Sequence, residues 1–538
     1  MLKHITEFTG TDDAALLRAG VKWLTENPGS TLVLEPRKYL IHDDFAHQLQ
    51  YDVMHGKYGI NPEPIMFHRD FPYSIGLNFS GAENVTLDGA GAEILTDGFM
   101  ETVSVQFCKG VTLKNLTFDL ERRAYSRGFI IGAGKDGEDS WSDIYFPEQE
   151  LITAEMSSER CYVWQPSKQR FVNRWGRASD KELIAPGTLR FHRFDLSGYV
   201  GDELYVWHTY HYRPTMMVYQ AEDTTIQDVT VHCNGGMAVV GHRSKNVLMK
   251  RLKVVPAPGE AMSTNGDATH FASCQGLIRF EDCVFEGQGD DATNVHTYYH
   301  TILTAADNIC TVTIQSPTGT HSQKADHPDV GDTVQLSTGD DLAKIEEYTV
   351  LGVEDLGQWV FRLTLDKSLP ELDYDKGDKY LADMTQQPAL EFIGCKCRNH
   401  LARGVLIKTH DALVEGCLFD SNMSSAIHIC AEGYWHEGTH SRNVTIRNNR
   451  IIRRNDLGFR GCSEAGGIAV EVDAEDPQKP IHSNITIESN IIVCPDTKRA
   501  IYVSNTDGLV IRNNILKSAS GENILVEKCT NVFCENNI

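Results

Sequence analysis

What this sequence lacks narrows it quickly. No apolar run approaches the roughly 18 residues of a membrane-spanning helix, and the N-terminus MLKHITEFTGTDDAALLRAG lacks the charged-then-apolar order of a signal peptide. The chain therefore reads as soluble and cytoplasmic, with no membrane partner. Basic residues are in short supply: 50 Lys and Arg stand against 74 Asp and Glu, a net charge of −24. Such a surface repels polyanions, so nucleic acid is excluded as a partner, and a neutral ligand suits it better. No glycine-rich loop opens a helix after a strand, which removes dinucleotides and nucleoside triphosphates. The 14 cysteines lack paired C-x-x-C spacing. Those within strand-like repeats (Cys274, Cys283, Cys395, Cys397, Cys417, Cys529, Cys534) read as small buried thiols rather than zinc ligands or a disulfide frame. His55, His68 and the run HTYHYRP from His208 to Pro214, which holds His211, come without ligand-type spacing and read as structural. No cofactor and no metal are expected.

What is present is repetition. A polar lead ending in Asn or Asp, then apolar-x-apolar-x, then Asn-Asn, Asn-x or Cys, recurs with copies beginning at Glu83, Lys109, Thr224, Lys245 and Gln275. It resumes at Ala389, Asp411, Arg442, Ser483, Asp507 and Thr530. Neighbouring copies lie roughly 22 to 31 residues apart where nothing intervenes, the period of a solenoid. Inward Val, Ile and Leu would stack into one apolar column, while Asn at the bends would hydrogen-bond between turns. The L-x-x-L-x-L-x-x-N phrase of leucine-rich repeats is absent. The expectation is an all-β chain: a right-handed parallel β-helix, its hand following the usual crossover rule. Residues 11–27 alternate at helical spacing behind Thr11-Asp12, which predicts an N-terminal capping helix over an otherwise open strand edge.

Two stretches interrupt the rhythm with short strand patterns and Gly or Asp turns, and predict two inserted small β-barrel or antiparallel β domains. The organisation expected is a cap and first rungs over 1–130, an insertion over 131–215, rungs over 216–299, a second insertion over 300–388, and final rungs over 389–538.

One rung carries the chemistry. In NGDATHFASCQGLIRFEDCVFEGQGDDATNVH, Asp267 precedes the pair Asp290-Asp291 by about one repeat, so a full turn returns three carboxylates to one edge. Clustered carboxylates raise one another's proton affinity, so that one can hold a proton while the others stay ionised, an acid and a base in one site. Glycoside hydrolysis needs both, about 6.5–9.5 Å apart when configuration inverts. A calcium-binding or solvated turn is the bland alternative, countered by His270, Asn294 and His296 on the same and next rung.

The same stretch resembles the catalytic region of glycoside hydrolase family 110, inverting exo-α-1,3-galactosidases with a parallel β-helix and inserted barrels. The resemblance extends through LVLEPRKYLI, FDLERRAYSRG around Asp119, NGGMAVVG from Asn234 to Gly241, RGVLIKT from Arg403 to Thr409, and AEGYWHEGTHSRNVTIRNN from Ala431 to Asn449. It implies that Asp290 is the general acid and that Asp267 and Asp291 share the base role. It also implies an enzyme releasing terminal α-linked, expectedly α-1,3-linked, galactose from a glycan.

Beyond the aspartates, substrate contacts are expected from His270, Asn294, His296, Arg403, Lys408, Glu432, Trp435 and Glu437. An aromatic ring can stack on galactose while charged groups bond its hydroxyls. Asp119, Glu121 and Arg122 are placed across the groove. A salt-bridged solvated face is the alternative for Arg403 and Lys408, and simple packing for Trp435. The partner is thus a carbohydrate, and a homodimer is left open as an assembly. Three alternatives stand: a polygalacturonase-like hydrolase, a polysaccharide lyase, and a non-catalytic glycan-binding β-helix.

Overall fold

A computed structural model describes every residue except 69, 316–321, 455–456, 460 and 462–463, together with the side chains of all but 173–175 among the rest. The repeats form a parallel β-helix with three strand stacks. The first runs from Thr31–Val33 to Thr530–Glu535, the second from Lys38–His42 to Ile515–Ser518, and the third from Ile75–Asn78 to Ile524–Glu527. Strict parallel register puts residues of like character on top of one another. Leu87, Leu113, Ile226, Met249, Phe280, Phe392, Val414, Ile446, Ile487 and Ile511 occupy equivalent positions on successive rungs, each no more than 1% exposed. This column is the spine of the core, and truncating any member to Ala costs about 2–5 kcal/mol.

The bends are held by ladders. Asn490 donates through Nδ2 to Asn514 Oδ1 at 3.0 Å, Asn514 to Asn537 at 2.9 Å, and Asn449 to Asn490 at 3.0 Å. At the same corner of earlier rungs stand Cys417, Cys395 and Cys283, so small buried thiols hand over to an asparagine ladder. No disulfide joins the described cysteines.

The capping helix α1 spans Asp13–Glu26, with Asp12 accepting from the Ala15 amide at 2.7 Å. It buries Leu17, Val21 and Leu24 beside Ile5 and Leu32. Gly20 allows this approach, because a Cβ there would stand 2.6 Å from Leu32 Cδ2. The helix does not hide the first strand edge alone: Leu2–His4 pairs in parallel with Thr31–Val33. A second helix, α2 (Asp44–Met54), is capped by Asp43 and escapes the sequence reading. No described helix is long and apolar enough to cross a membrane.

The two interruptions are antiparallel, as expected, but differ in form. The first has seven strands from Tyr125–Asp136 to Glu203–Trp207 in an open sheet with its own core around Ile144, Phe191 and Val206. Its inner aromatics Tyr125, Tyr205 and Trp207 pack with Leu49, Val53 and Met262, seating it against α2 and the solenoid. The second closes. Strand Thr293–Ala306 pairs with Ile309–Thr313 and with Lys379–Asp383; the ring is completed through Val360–Leu365, Lys344–Gly357 and Thr333–Thr338. The opening strand is shared, because Thr293–His296 is also a rung of the third stack.

Candidate active site

Thr269 is in register with Thr293, and Thr293 with Val405. Asp267, Asp291 and Arg403 each lie two residues upstream, and so take the same position on three consecutive rungs. The GQGDD loop reaches this edge because Gly289 lacks a side chain: a Cβ would stand 2.1 Å from the Asn265 carbonyl and from the Trp207 ring. Asp267, Asp290 and Asp291 each present an oxygen, all within 4.8 Å of one another. That is tighter, oxygen to oxygen, than the roughly 6.5–9.5 Å between inverting carboxyl pairs, so spacing alone does not select inversion.

The three carboxylates are held differently. Asp291 is 2% exposed and accepts three bonds from Arg403: the backbone amide and Nε at 2.9 Å on Oδ1, and the guanidinium NH2 at 2.8 Å on Oδ2. Burial pushes its pKa well above the carboxylate range, Asp290 and Asp267 add to that, and Arg403 opposes it. Asp267 accepts from the Asp291 amide at 2.9 Å and meets His270 Nδ1 at 2.8 Å. Asp290 is the least buried of the three.

Behind Asp267 runs a relay. His270 Nε2 lies 2.7 Å from His296 Nε2, and His296 Nδ1 lies 2.7 Å from the Thr297 carbonyl. A carbonyl only accepts, so His296 Nδ1 carries the proton. Burial keeps the ring neutral, with its pKa pushed down to about 3, so its Nε2 accepts from His270.

Lys408, fully buried, donates to Glu432 at 2.8 Å and pairs with Glu437, while Arg403 reaches Glu432 at 2.6 Å. Burial alone would raise the Glu432 pKa, but Lys408 and Arg403 overcome it and hold the value at about 2. Asn294 donates to Glu437 at 2.9 Å. The solvated-face alternative for Arg403 and Lys408 thus fails: this is a buried ion network.

These groups surround a pocket of about 210 Å³. That is below the usual 300–1,000 Å³ of drug-sized sites and suits one sugar ring. Asp267, Asp290, Asp291, His270, Asn294, Arg403, Glu432, Trp435 and Glu437 all line it. His296 and Lys408 do not; they stand behind His270 and the two glutamates, and their roles pass through those residues. Asp119, Glu121 and Arg122 are not on the pocket wall. Asp119 pairs with Arg123, and Arg122 donates to the Tyr125 carbonyl at 2.7 Å and pairs with Glu148, bracing the first insertion.

Four lining residues were not assigned to the site from the sequence: Arg160, Tyr210, His211, which was read as structural, and Met237. Arg160 lies 3.8 Å from the Tyr210 ring centroid, and His211 pairs with Glu63. His211 is thus a satisfied histidine and also part of the wall. The signal was the aromatic density of HTYHYRP. The letters of His436-Glu437-Gly438-Thr439-His440 spell H-E-x-x-H, yet Glu437–Gly438 is a short strand, so the helical face on which that motif binds zinc is missing.

Fold and site together define a parallel β-helix whose edge carries a buried carboxylate cluster in a pocket of monosaccharide size. No family model matches the chain. Among characterised proteins it is similar to alpha-1,3-galactosidase A of Bacteroides fragilis, 27% identical over 467 residues, covering 82% of this chain and 75% of the relative. It is also similar to alpha-1,3-galactosidase B of Phocaeicola vulgatus, 25% identical over 533 residues, covering 90% and 84%. Among solved structures, a family 28 exopolygalacturonase of Yersinia enterocolitica aligns with a TM-score of 0.39 at 12% identity, covering 99% of this chain and 78% of that one.

Proposed function

We propose that this chain is an exo-acting glycoside hydrolase that releases terminal α-1,3-linked galactose from glycans. The observation that carries this is the joint placement of Asp267, Asp290 and Asp291 around a pocket sized for one sugar, in a chain that aligns with alpha-1,3-galactosidases over most of both lengths.

In this reading Asp290 is the acid. It is the most accessible of the three, and its carboxyl proton passes to the glycosidic oxygen as the bond to the anomeric carbon breaks. Asp267, with Asp291 beside it, orients a water and takes its proton while the water oxygen bonds to the anomeric carbon from the opposite face. The products are β-galactose and the freed aglycone hydroxyl. His270 steadies Asp267 through its 2.8 Å contact, and Glu432, Glu437 and Asn294 bond ring hydroxyls.

The test is incubation with terminal α-galactosides of different linkage, followed by NMR of the first anomer released. Early β-galactose with preference for the α-1,3 linkage supports the proposal. An unsaturated, ultraviolet-absorbing product would mean a lyase, early α-galactose would refute inversion, and binding without release would refute hydrolysis.

A further inference from the structure

A second cavity of about 260 Å³ also borders Asp290. It shares Asp290 and Arg403 with the first pocket, and its remaining wall comes from later rungs, including Ser424, Ser425, His428 and Glu471. The first pocket shares the rung of His428 through Glu432 but also reaches earlier rungs through Asp267, His270 and Met237, which the second does not. Asp290 therefore stands where two cavities meet. An acid that protonates a glycosidic oxygen must sit at such a junction, since that oxygen joins the two sugars.

Glu471 is the charged group of the second cavity that no catalytic role absorbs. His428, 3% exposed, holds it, with Nε2 lying 2.7 Å from Glu471 Oε1. Among the described residues this leaves Oε2 of a partly accessible carboxylate, in a cavity that Ser424 and Ser425 also line. His428 Nδ1 has no hydrogen-bond partner among the described residues, so the ring is set by its one bond to Glu471. A fixed carboxylate accepts hydroxyl protons and repels other carboxylates.

We infer that this second cavity receives the first sugar of the aglycone, and that Glu471, positioned by His428, selects a neutral, hydroxyl-bearing ring there and rejects a uronic acid. The inference rests on the galactosidase reading, which it deepens.

The test compares wild type with Glu471→Gln and His428→Ala on three substrates: galactosyl-α-1,3-galactose, an aryl α-galactoside, and an α-galactoside whose second sugar is a uronic acid. Unfolding midpoints are recorded for each protein. The expected result for Glu471→Gln is about a tenfold loss of kcat/KM on the disaccharide, mainly through KM, with the aryl substrate and inhibition by free galactose changed less than about twofold. The uronic-acid substrate should gain at least about fivefold, which a merely damaged fold cannot produce. His428→Ala should show the same pattern more weakly. Equal losses on disaccharide and aryl substrate, no loss on the disaccharide, or no gain on the uronic acid overturns this inference and leaves the galactosidase reading standing. A wild-type protein that releases galactose from none of the three overturns both.

Discussion

The solenoid wall of the pocket and the wall supplied by the first insertion hold their polar groups by different means. On the solenoid side, register does the work: Asp267, Asp291 and Arg403 are stacked at one position of three rungs, and Lys408, Glu432 and Glu437 form a buried ion network below them. On the insertion side, Arg160, Tyr210 and His211 are arranged largely by ring contacts, with Tyr210 stacked on Trp207 at 5.5 Å and tilted against His211 at 3.9 Å, and His211 also paired with Glu63. Displacing a stacked rung disturbs its neighbours above and below, whereas ring contacts tolerate exchange. Chemistry is thus expected to reside on the first wall and substrate choice on the second.

If that division is right, the largest effect comes from the solenoid. Asp290→Asn should lower kcat on a natural α-1,3-galactoside by about 10³–10⁴-fold, with its urea midpoint unchanged, because the acid's proton is lost and its shape kept. An aryl galactoside, with a leaving group that needs little protonation, should lose less. Lys408→Met comes next and acts on stability: with Glu432 and Glu437 both losing their shared buried cation, Glu432 keeping Arg403 and Glu437 keeping Asn294, unfolding free energy in urea should fall by about 3 kcal/mol. Adding Glu437→Gln should recover part of that loss, and no recovery would mean that Lys408 matters for packing alone.

The insertion wall should respond more gently. Tyr210→Ala is expected to reduce kcat/KM about tenfold, chiefly through KM, in initial-rate kinetics. A kcat loss comparable to that of Asp290→Asn would erase the distinction between the walls. The smallest effect is on acid stability. His208, His296 and His400, buried, and His440, half-buried, have pKa values pushed down to about 3, and the buried His300 and His482 to about 4, against 6.5 when exposed. Unfolded, each ring binds a proton below pH 6.5, while the folded state does not until far lower. Stability is therefore full above that pH and declines as pH falls toward 3 to 4. Calorimetry should show Tm lower at pH 4.5 than at 7.5, and His296→Gln should flatten that slope slightly.

Much of the solenoid wall was readable because a parallel coil converts distance along the chain into height. Once the repeats were aligned, Asp267 had to lie near Asp290-Asp291, and RGVLIKT and AEGYWHEG had to follow on later rungs. The Asn phrases likewise announced the ladder from Asn449 to Asn537. The insertions gave no such ruler. Their strands pair antiparallel with partners chosen by turn length and side-chain fit, so the aromatic density of HTYHYRP marked the run without saying that Tyr210 and His211 return to a pocket beside Met237. Burial was equally hidden: Lys408 reads as a surface charge until Glu432 and Glu437 are placed around it. The helix at Asp44–Met54 was passed over because it falls between two rungs, where the strand rhythm commanded the reading. The split of labour among the aspartates came from resemblance, and the geometry adds to it the position of Asp290 between two cavities.

The strand Thr293–Ala306 is a rung at one end and a barrel stave at the other. Side chains on a strand alternate between faces, so a slip of one residue would turn Asn294 and His296 away from their present faces and bring Thr293 and Val295 into their places. In the third stack alone the slip would be opposed by four matched pairs with Thr269–Ala272 and three with Val405–Ile407. The barrel adds the ring of pairings that begins with Tyr299 opposite Ala382. A closed ring has no free edge along which to slide, so a domain that gives no described residue to the catalytic pocket acts as a clamp on the phase of the strand that does.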